Sequence, residues 1–147
     1  MKSILAVCVG NICRSPVAEG LLKSSLPHCK VWSAGLAALV GHGADPKAVE
    51  IAREHGLDIS AHRAQQVSKW MLTQADLVLV MERGHQRQLQ KDYPLMHGKI
   101  RRLGEFGAGG GFEIEDPYQQ SLSAFEAAHD AITRGVGEWV HRIRLIA

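Results

Sequence analysis

The sequence predicts an α/β fold: one domain over residues 1–147, built on a four-stranded, mostly parallel sheet with helices on both faces. Three observations carry that expectation. Short apolar runs bounded by turn residues alternate with stretches of helical periodicity, the order that builds a parallel sheet. The runs are continuously apolar, as strands buried on both faces are. The chain is long enough to bury one core, and no repeat, linker or shift in composition marks a second domain.

Each element has its own signal. SILAVCV (3–9) is an apolar run closed by Gly-Asn and is expected to be the first strand. From Ser15 the period changes. Val17, Ala18, Leu21, Leu22 and Leu26 recur at helical spacing, Pro16 sits in the first turn, where its missing N–H costs nothing, and Pro27 ends the helix. KVWSAG (30–35) reads as a second strand closing on a glycine turn. Asp45 as N-cap, Pro46 at the first helical position and Gly56 at the C-terminal cap frame the next helix. A short helix is expected around 67–74, followed by ADLVLVM (75–81), the clearest buried strand. Residues 84–92 read as helix and KIRRLG (99–104) as a fourth, weaker strand.

The segment 105–120, EFGAGGGFEIEDPYQQ, reads as a loop whose four glycines imply high backbone freedom and little packing. A long helix closes the chain, with Leu122, Phe125, Ile132, Val136, Trp139, Val140 and Ile143 on one stripe. Ser123 and Glu126 have the spacing of a capping box at its start. Gly135 and Gly137 each cost that helix about 1 kcal/mol relative to alanine.

Composition excludes several classes of function. A net charge of +2 and scattered basic residues argue against a nucleic-acid partner. No apolar run approaches the ~20 residues of a membrane span. The N-terminal apolar run is too short for a secretory signal and lacks a small-residue cleavage site, so a cytoplasmic protein is expected. Three cysteines fit reduced thiols better than a disulfide framework. Eight histidines without close Cys/His pairing suggest no metal site, and no cofactor is expected.

The chemistry gathers in ILAVCVGNICRSP (4–16). A loop that leaves a strand and curls into a helix within six residues can point successive backbone N–H groups inward, making a nest of partial positive charge. The following helix adds its N-terminal dipole, and together they suit a tetrahedral oxyanion. Val9, Gly10, Asn11, Ile12, Cys13, Arg14 and Ser15 would form that ring. Gly10 and Asn11 tolerate the positive φ a tight curl requires. Arg14 can grip two anion oxygens with its planar fork, which lysine cannot do. Cys8 would aim its sulfur at the phosphorus, and the same positive field favours an attacking thiolate. Other phosphate loops fit worse: G-x4-G-K-[ST] is absent, and GHGADP (41–46) lacks the third glycine of a dinucleotide fingerprint.

These residues resemble the low-molecular-weight protein tyrosine phosphatases over essentially the whole chain. VCVGNICRSPVAEGLL matches that family's phosphate loop and first helix, WSAGL its second strand and turn, and DLVLVMERGH its central strand. EDPYQQS resembles the loop that bears its catalytic acid. SAGLAALVGHGADPKA, with a single tyrosine after Asp-Pro, resembles the bacterial members linked to capsule and exopolysaccharide synthesis.

The resemblance implies Cys8 as nucleophile, Arg14 as phosphate clamp and Asp116 as general acid, then base. It implies Ser15 as a hydrogen-bond partner of the Cys8 thiolate, Asn11 as the residue that holds the loop, and His62 as a support for that asparagine. Tyr118, Leu36 and Leu39 would wall a cleft deep enough for a phosphotyrosine ring and too deep for phosphoserine. Cys13 would pair reversibly with Cys8 and protect it from overoxidation. The substrate implied is a phosphotyrosine protein, the tail of a bacterial tyrosine autokinase.

Three features depart from the family pattern. Glu115 stands where bacterial members often have proline, GAGGG loosens the approach to Asp116, and Gln65 replaces a common arginine. Arsenate reduction, the nearest enzymatic rival, needs two further relay cysteines, and none follows Cys29. A phosphotyrosine-binding module without catalysis would be expected to lack the nucleophile, the arginine or the acid. All three are present.

Overall fold

The computed structural model describes residues 1–146. Four strands, β1 (Ser3–Cys8), β2 (Lys30–Gly35), β3 (Leu77–Val80) and β4 (Ile100–Arg102), form a sheet in the order β2-β1-β3-β4. Every pairing is parallel, with Cys8 opposite Gly35 and Val7 opposite Val80. β1 and β3 are buried end to end apart from Ser3, which is why both read as continuous apolar runs.

The helices are α1 (Arg14–Ser25), α2 (Pro46–Glu54), α3 (Lys69–Gln74), α4 (Arg83–Asp92) and α5 (Leu122–Leu145). Alternate residues of β1 feed two cores. Ile4, Ala6 and Cys8 pack with α1, α2 and α5, while Leu5 and Val7 pack with Leu72 of α3 and Leu89 of α4. Sheet pleating therefore sorts the helices onto two faces. The segment after Cys8 leaves the carboxyl end of β1, between β2 and β3, where strand order reverses and open α/β sheets bind ligands.

One element is added and two local expectations are corrected. A short 3-10 turn, Pro94–Lys99, precedes β4 and was not anticipated. The cap of α5 is Ser121, whose Oγ accepts from the Ala124 N–H at 3.4 Å. Ser123 lies inside the first turn and bonds only sideways, to Ser121 Oγ at 2.8 Å. The second correction concerns the glycine-rich loop, which is exposed at Ala108–Gly110 but closely packed at its two ends. A Cβ on Gly104 or Gly111 would strike backbone oxygens across the loop, and Gly109, Gly110 and Gly111 all hold positive φ. Glycine there permits close approach of backbone to backbone and supplies little slack. The tight turn brings Ile114 into the core, fully buried, with its N–H on Met81 O at 3.0 Å.

Candidate active site

Between β1 and α1 the chain turns through residues 9–13, and its carbonyls are drawn outward one after another. Cys8 O accepts from Leu36 N at 2.9 Å, Val9 O from Ala37 N at 2.9 Å and Gly10 O from Leu39 N at 3.1 Å. Asn11 O accepts from His62 Nε2 at 2.6 Å, and Ile12 O from Asp45 N at 2.8 Å. In a trans peptide the next residue's N–H points opposite to the carbonyl. Five outward carbonyls therefore turn the amides of residues 9–13 toward the inside of the curl. The result is an oxyanion nest built by its surroundings.

The left-handed residue that makes the curl possible is Asn11, at φ 58°. Gly10 is not at positive φ, and a Cβ there would meet only Ile12 Cγ1, at 3.7 Å. Asn11 is also wholly buried and fully bonded. Its Oδ1 accepts from Gln65 N at 2.9 Å, and its Nδ2 donates to Ser15 Oγ at 2.7 Å and Ser33 Oγ at 3.0 Å. Ser33 in turn donates to Glu19 Oε1 at 2.5 Å. Because Ser15 Oγ accepts from Asn11, its own hydrogen is left for Cys8 Sγ, 2.9 Å away. A chain of fixed polarity thus ends on the sulfur. Gln65, where an arginine is common, donates from Nε2 to Ser33 O at 2.8 Å.

Arg14 opens α1 and is almost wholly buried. Its Nη1 donates to Glu82 Oε2 at 2.5 Å and to Ile114 O at 2.8 Å, and its Nη2 lies 3.6 Å from Asp116 Oδ2. Nε is buried without a protein partner. The Nε–Nη2 edge is therefore the side left to grip an anion in two-pronged fashion. Asp116 is placed by its neighbours: Ile114 is pinned in the core two residues earlier, and Asp116 Oδ1 accepts from Tyr118 N at 3.1 Å in an Asx turn.

A cavity of about 170 Å³ joins these groups, lined by Cys8, Val9, Gly10, Ile12, Cys13, Arg14, Ala37, Leu39, Asp116 and Tyr118. Of the expected wall residues, Leu39 and Tyr118 line it and Leu36 does not. Leu36 instead packs against the core on the other face of the sheet, the one that holds Leu5, Val7 and Ala34, so its apolar surface is used there. Ala37 takes its place. Cys13 faces the same cavity as a free thiol. Burial pushes that thiol far above the ordinary range, aided by Asp45, Cys8 and Asp116 and opposed by Arg14.

Glu82, His85, Ser33, Glu19 and Ile114 were not anticipated as parts of this site. Glu82 carried a legible signal: it is the first acidic residue past the carboxyl end of a central parallel strand. Ser33 is a polar break within an apolar run. Ile114 acts through its backbone carbonyl, which no side-chain pattern announces. Away from the cavity, His55, Glu126 and Asp130 bring three metal-capable atoms within 4.8 Å of one another, a grouping that linear spacing did not suggest.

The family model for low molecular weight phosphotyrosine protein phosphatases matches residues 3–145. The chain belongs to that family. This phosphatase is 50% identical to the EpsP protein of Ralstonia nicotianae over 146 residues, 99% of each chain. It is 44% identical over 142 residues to the low molecular weight protein-tyrosine-phosphatase Wzb of Escherichia coli K12, covering 97% of this chain and 95% of that one. The phosphatase also superposes on the structure of Vibrio vulnificus Wzb in complex with benzylphosphonate with a TM-score of 0.90. That match has 41% identity and covers 96% of this chain and 98% of the other. The protein is a low molecular weight protein-tyrosine phosphatase. No described helix is long and apolar enough to cross a membrane.

Proposed function

We propose that the phosphatase works through a phosphocysteine intermediate with Cys8 as nucleophile, Arg14 as phosphate clamp and Asp116 as general acid and base. One observation carries the reading: Cys8, Arg14 and Asp116 face a single cavity whose floor is a loop with its carbonyls drawn outward. The Cys8 thiolate attacks phosphorus, and the bond from phosphorus to the tyrosine oxygen breaks. That oxygen takes the proton of Asp116. Water then attacks, its proton passes to the Asp116 carboxylate, the P–S bond breaks and the thiolate is restored. Nest amides and Arg14 hold the phosphoryl oxygens in both steps. Val9, Gly10, Ile12 and Cys13 serve through their amides, Asn11 and His62 by holding the loop, and Ser15 by donating to sulfur. Leu39 and Tyr118 wall the aromatic ring.

The test is p-nitrophenyl phosphate hydrolysis against pH with EDTA present. Turnover is expected to peak below neutrality, because Asp116 must be protonated for the first step. Cys8→Ser is expected to abolish it, and Asp116→Asn to lower kcat by roughly 10²–10⁴-fold. EDTA-sensitive turnover, or an active Cys8→Ser protein, would overturn the mechanism.

Names such as EpsP and Wzb among the relatives support a natural substrate in the cytoplasm: the phosphorylated tyrosine tail of an autokinase that governs exopolysaccharide or capsule export. Cys13 is assigned the redox role. Peroxide converts Cys8 to a sulfenic acid, and the Cys13 thiol displaces its oxygen as water to leave a disulfide. Oxidation removes the Cys8 charge, one of the influences that hold the proton on Cys13. After peroxide treatment, dithiothreitol should restore more activity to wild type than to Cys13→Ser. Equal recovery would end that assignment.

A further inference from the structure

His85, in the first turn of α4, is 8% exposed, and its Nε2 lies 3.4 Å from Glu82 Oε2. That same oxygen is held by Arg14 Nη1 at 2.5 Å. One carboxylate oxygen therefore stands between a permanently charged group and a titratable one. Nδ1 of His85 is buried without a protein partner.

The charged groups that face the ring come from three elements. They are Glu82 at the cap of α4, Arg14 of α1, and Asp116 and Glu113 of the acid loop. On β4, beside α4, Arg101 is engaged by Glu105, and Arg102 by the Gly110 carbonyl at 3.0 Å. β3 presents only apolar side chains. Burial holds the imidazole below its ordinary range; Glu82 opposes that shift and Arg14 adds to it.

We propose that His85 is a proton-dependent positioning residue for the phosphate clamp: once protonated, it shares the Glu82 carboxylate and leaves more of the Arg14 charge to the bound oxyanion. The proposal rests on the phosphate-loop reading and adds a proton to it. Linkage makes the effect reciprocal. An oxyanion against Arg14 favours the proton on His85, and that proton, taken from solvent, tightens the oxyanion. The Cys13 and Asp116 chemistry described above does not require this group. Its role is to bias the clamp.

Inorganic sulfate is the probe, because it stays dianionic across the range of interest. The protein is the full chain carrying Cys8→Ser and Asp116→Asn, so that neither of those groups titrates. Nuclear magnetic resonance follows the His85 ring from pH 8 to 5 with and without sulfate, and calorimetry follows the sulfate Kd. Sulfate is expected to move the His85 titration upward, and the Kd to tighten by roughly tenfold as pH falls, the scale of one unit in a coupled group. Adding His85→Asn should flatten that dependence.

A His85 resonance that titrates alike with and without sulfate overturns the proposal. So does an equal slope in the His85→Asn protein. The resonance measurement leaves His85 in place, so a folding defect in the variant cannot mimic either result. Sulfate that binds at no pH would remove the phosphate-loop reading itself, and this proposal with it.

Discussion

Asn11 shows how one residue type can be required twice over. Its backbone sits at φ 58°, where side chains other than asparagine and glycine are strained, and its amide makes three bonds inside a fully buried site. Asn11→Gly would keep the curl and lose the bonds; Asn11→Ala would lose both. Each buried hydrogen bond is worth about 1 kcal/mol and the left-handed strain about 1–3 kcal/mol. Urea unfolding should therefore rank wild type above Asn11→Gly and Asn11→Ala last, with kcat falling in both. An Asn11→Ala protein as stable as Asn11→Gly would mean the φ value carries no cost. The motif exposed Asn11 because its neighbours in sequence are its neighbours in space. Ser33 and Glu19, which extend the same hydrogen-bond chain, come from a different strand and a later helical turn, and only the packed fold joins them.

At the scale of elements, α5 separates two glycines that the sequence treats alike. A Cβ on Gly135 would fall 2.8 Å from Leu103 Cγ and from Leu103 O, whereas Gly137 faces open space. Gly137→Ala is therefore expected to stabilise the protein by about 0.5–1 kcal/mol through helix propensity. Gly135→Ala is expected to destabilise it by about 1–3 kcal/mol, because the helix must move off β4's exit. At the head of the same helix, Ser121→Ala should cost about 1 kcal/mol and Ser123→Ala much less. Thermal unfolding of the four variants checks all of this, and a stabilised Gly135→Ala would show that the contact yields. The cap lies at Ser121, two residues before the serine that the spacing to Glu126 marks, and the two serines carry the same chemistry. What selects Ser121 is the path of the chain out of the Asp-Pro turn, including Gln119 at φ 63°.

At the scale of the molecule, buried histidines shape the response to acid. His129 on α5 is nearly enclosed, its ring is stacked on His55 at 4.2 Å, and its Nδ1 has no protein partner. Burial lowers its titration below the ordinary range, the adjacent His55 adds to this, and Glu126 and Asp130 oppose it. Its folded form takes up a proton less readily than its unfolded form. The stability it contributes is thus complete above about pH 6.5 and declines as pH falls below that value. Tm should drop between pH 7 and 5, and His129→Leu should show a shallower drop across that window. Parallel slopes would assign the acid sensitivity elsewhere.

Local chemistry and periodicity were enough to read the alternation of strands and helices, the caps of α2 and the Cys8–Arg14 loop, while Asp116 was marked only by the family resemblance of its Asp-Pro segment. Each is encoded within a few residues: buried strands by continuous apolar runs, the loop by the five positions between sulfur and guanidinium. Tertiary structure alone decided the outward pull on the loop carbonyls, the Glu82 and Ile114 grip on Arg14, the replacement of Leu36 by Ala37 at the cavity, and the close backbone approach at Gly104 and Gly111. These contacts join residues 14 and 82, 14 and 114, or 11 and 62, and many pass through backbone atoms that every residue shares. Sequence patterns record which side chains a local conformation needs. They leave unmarked the distant backbone that packing brings against them.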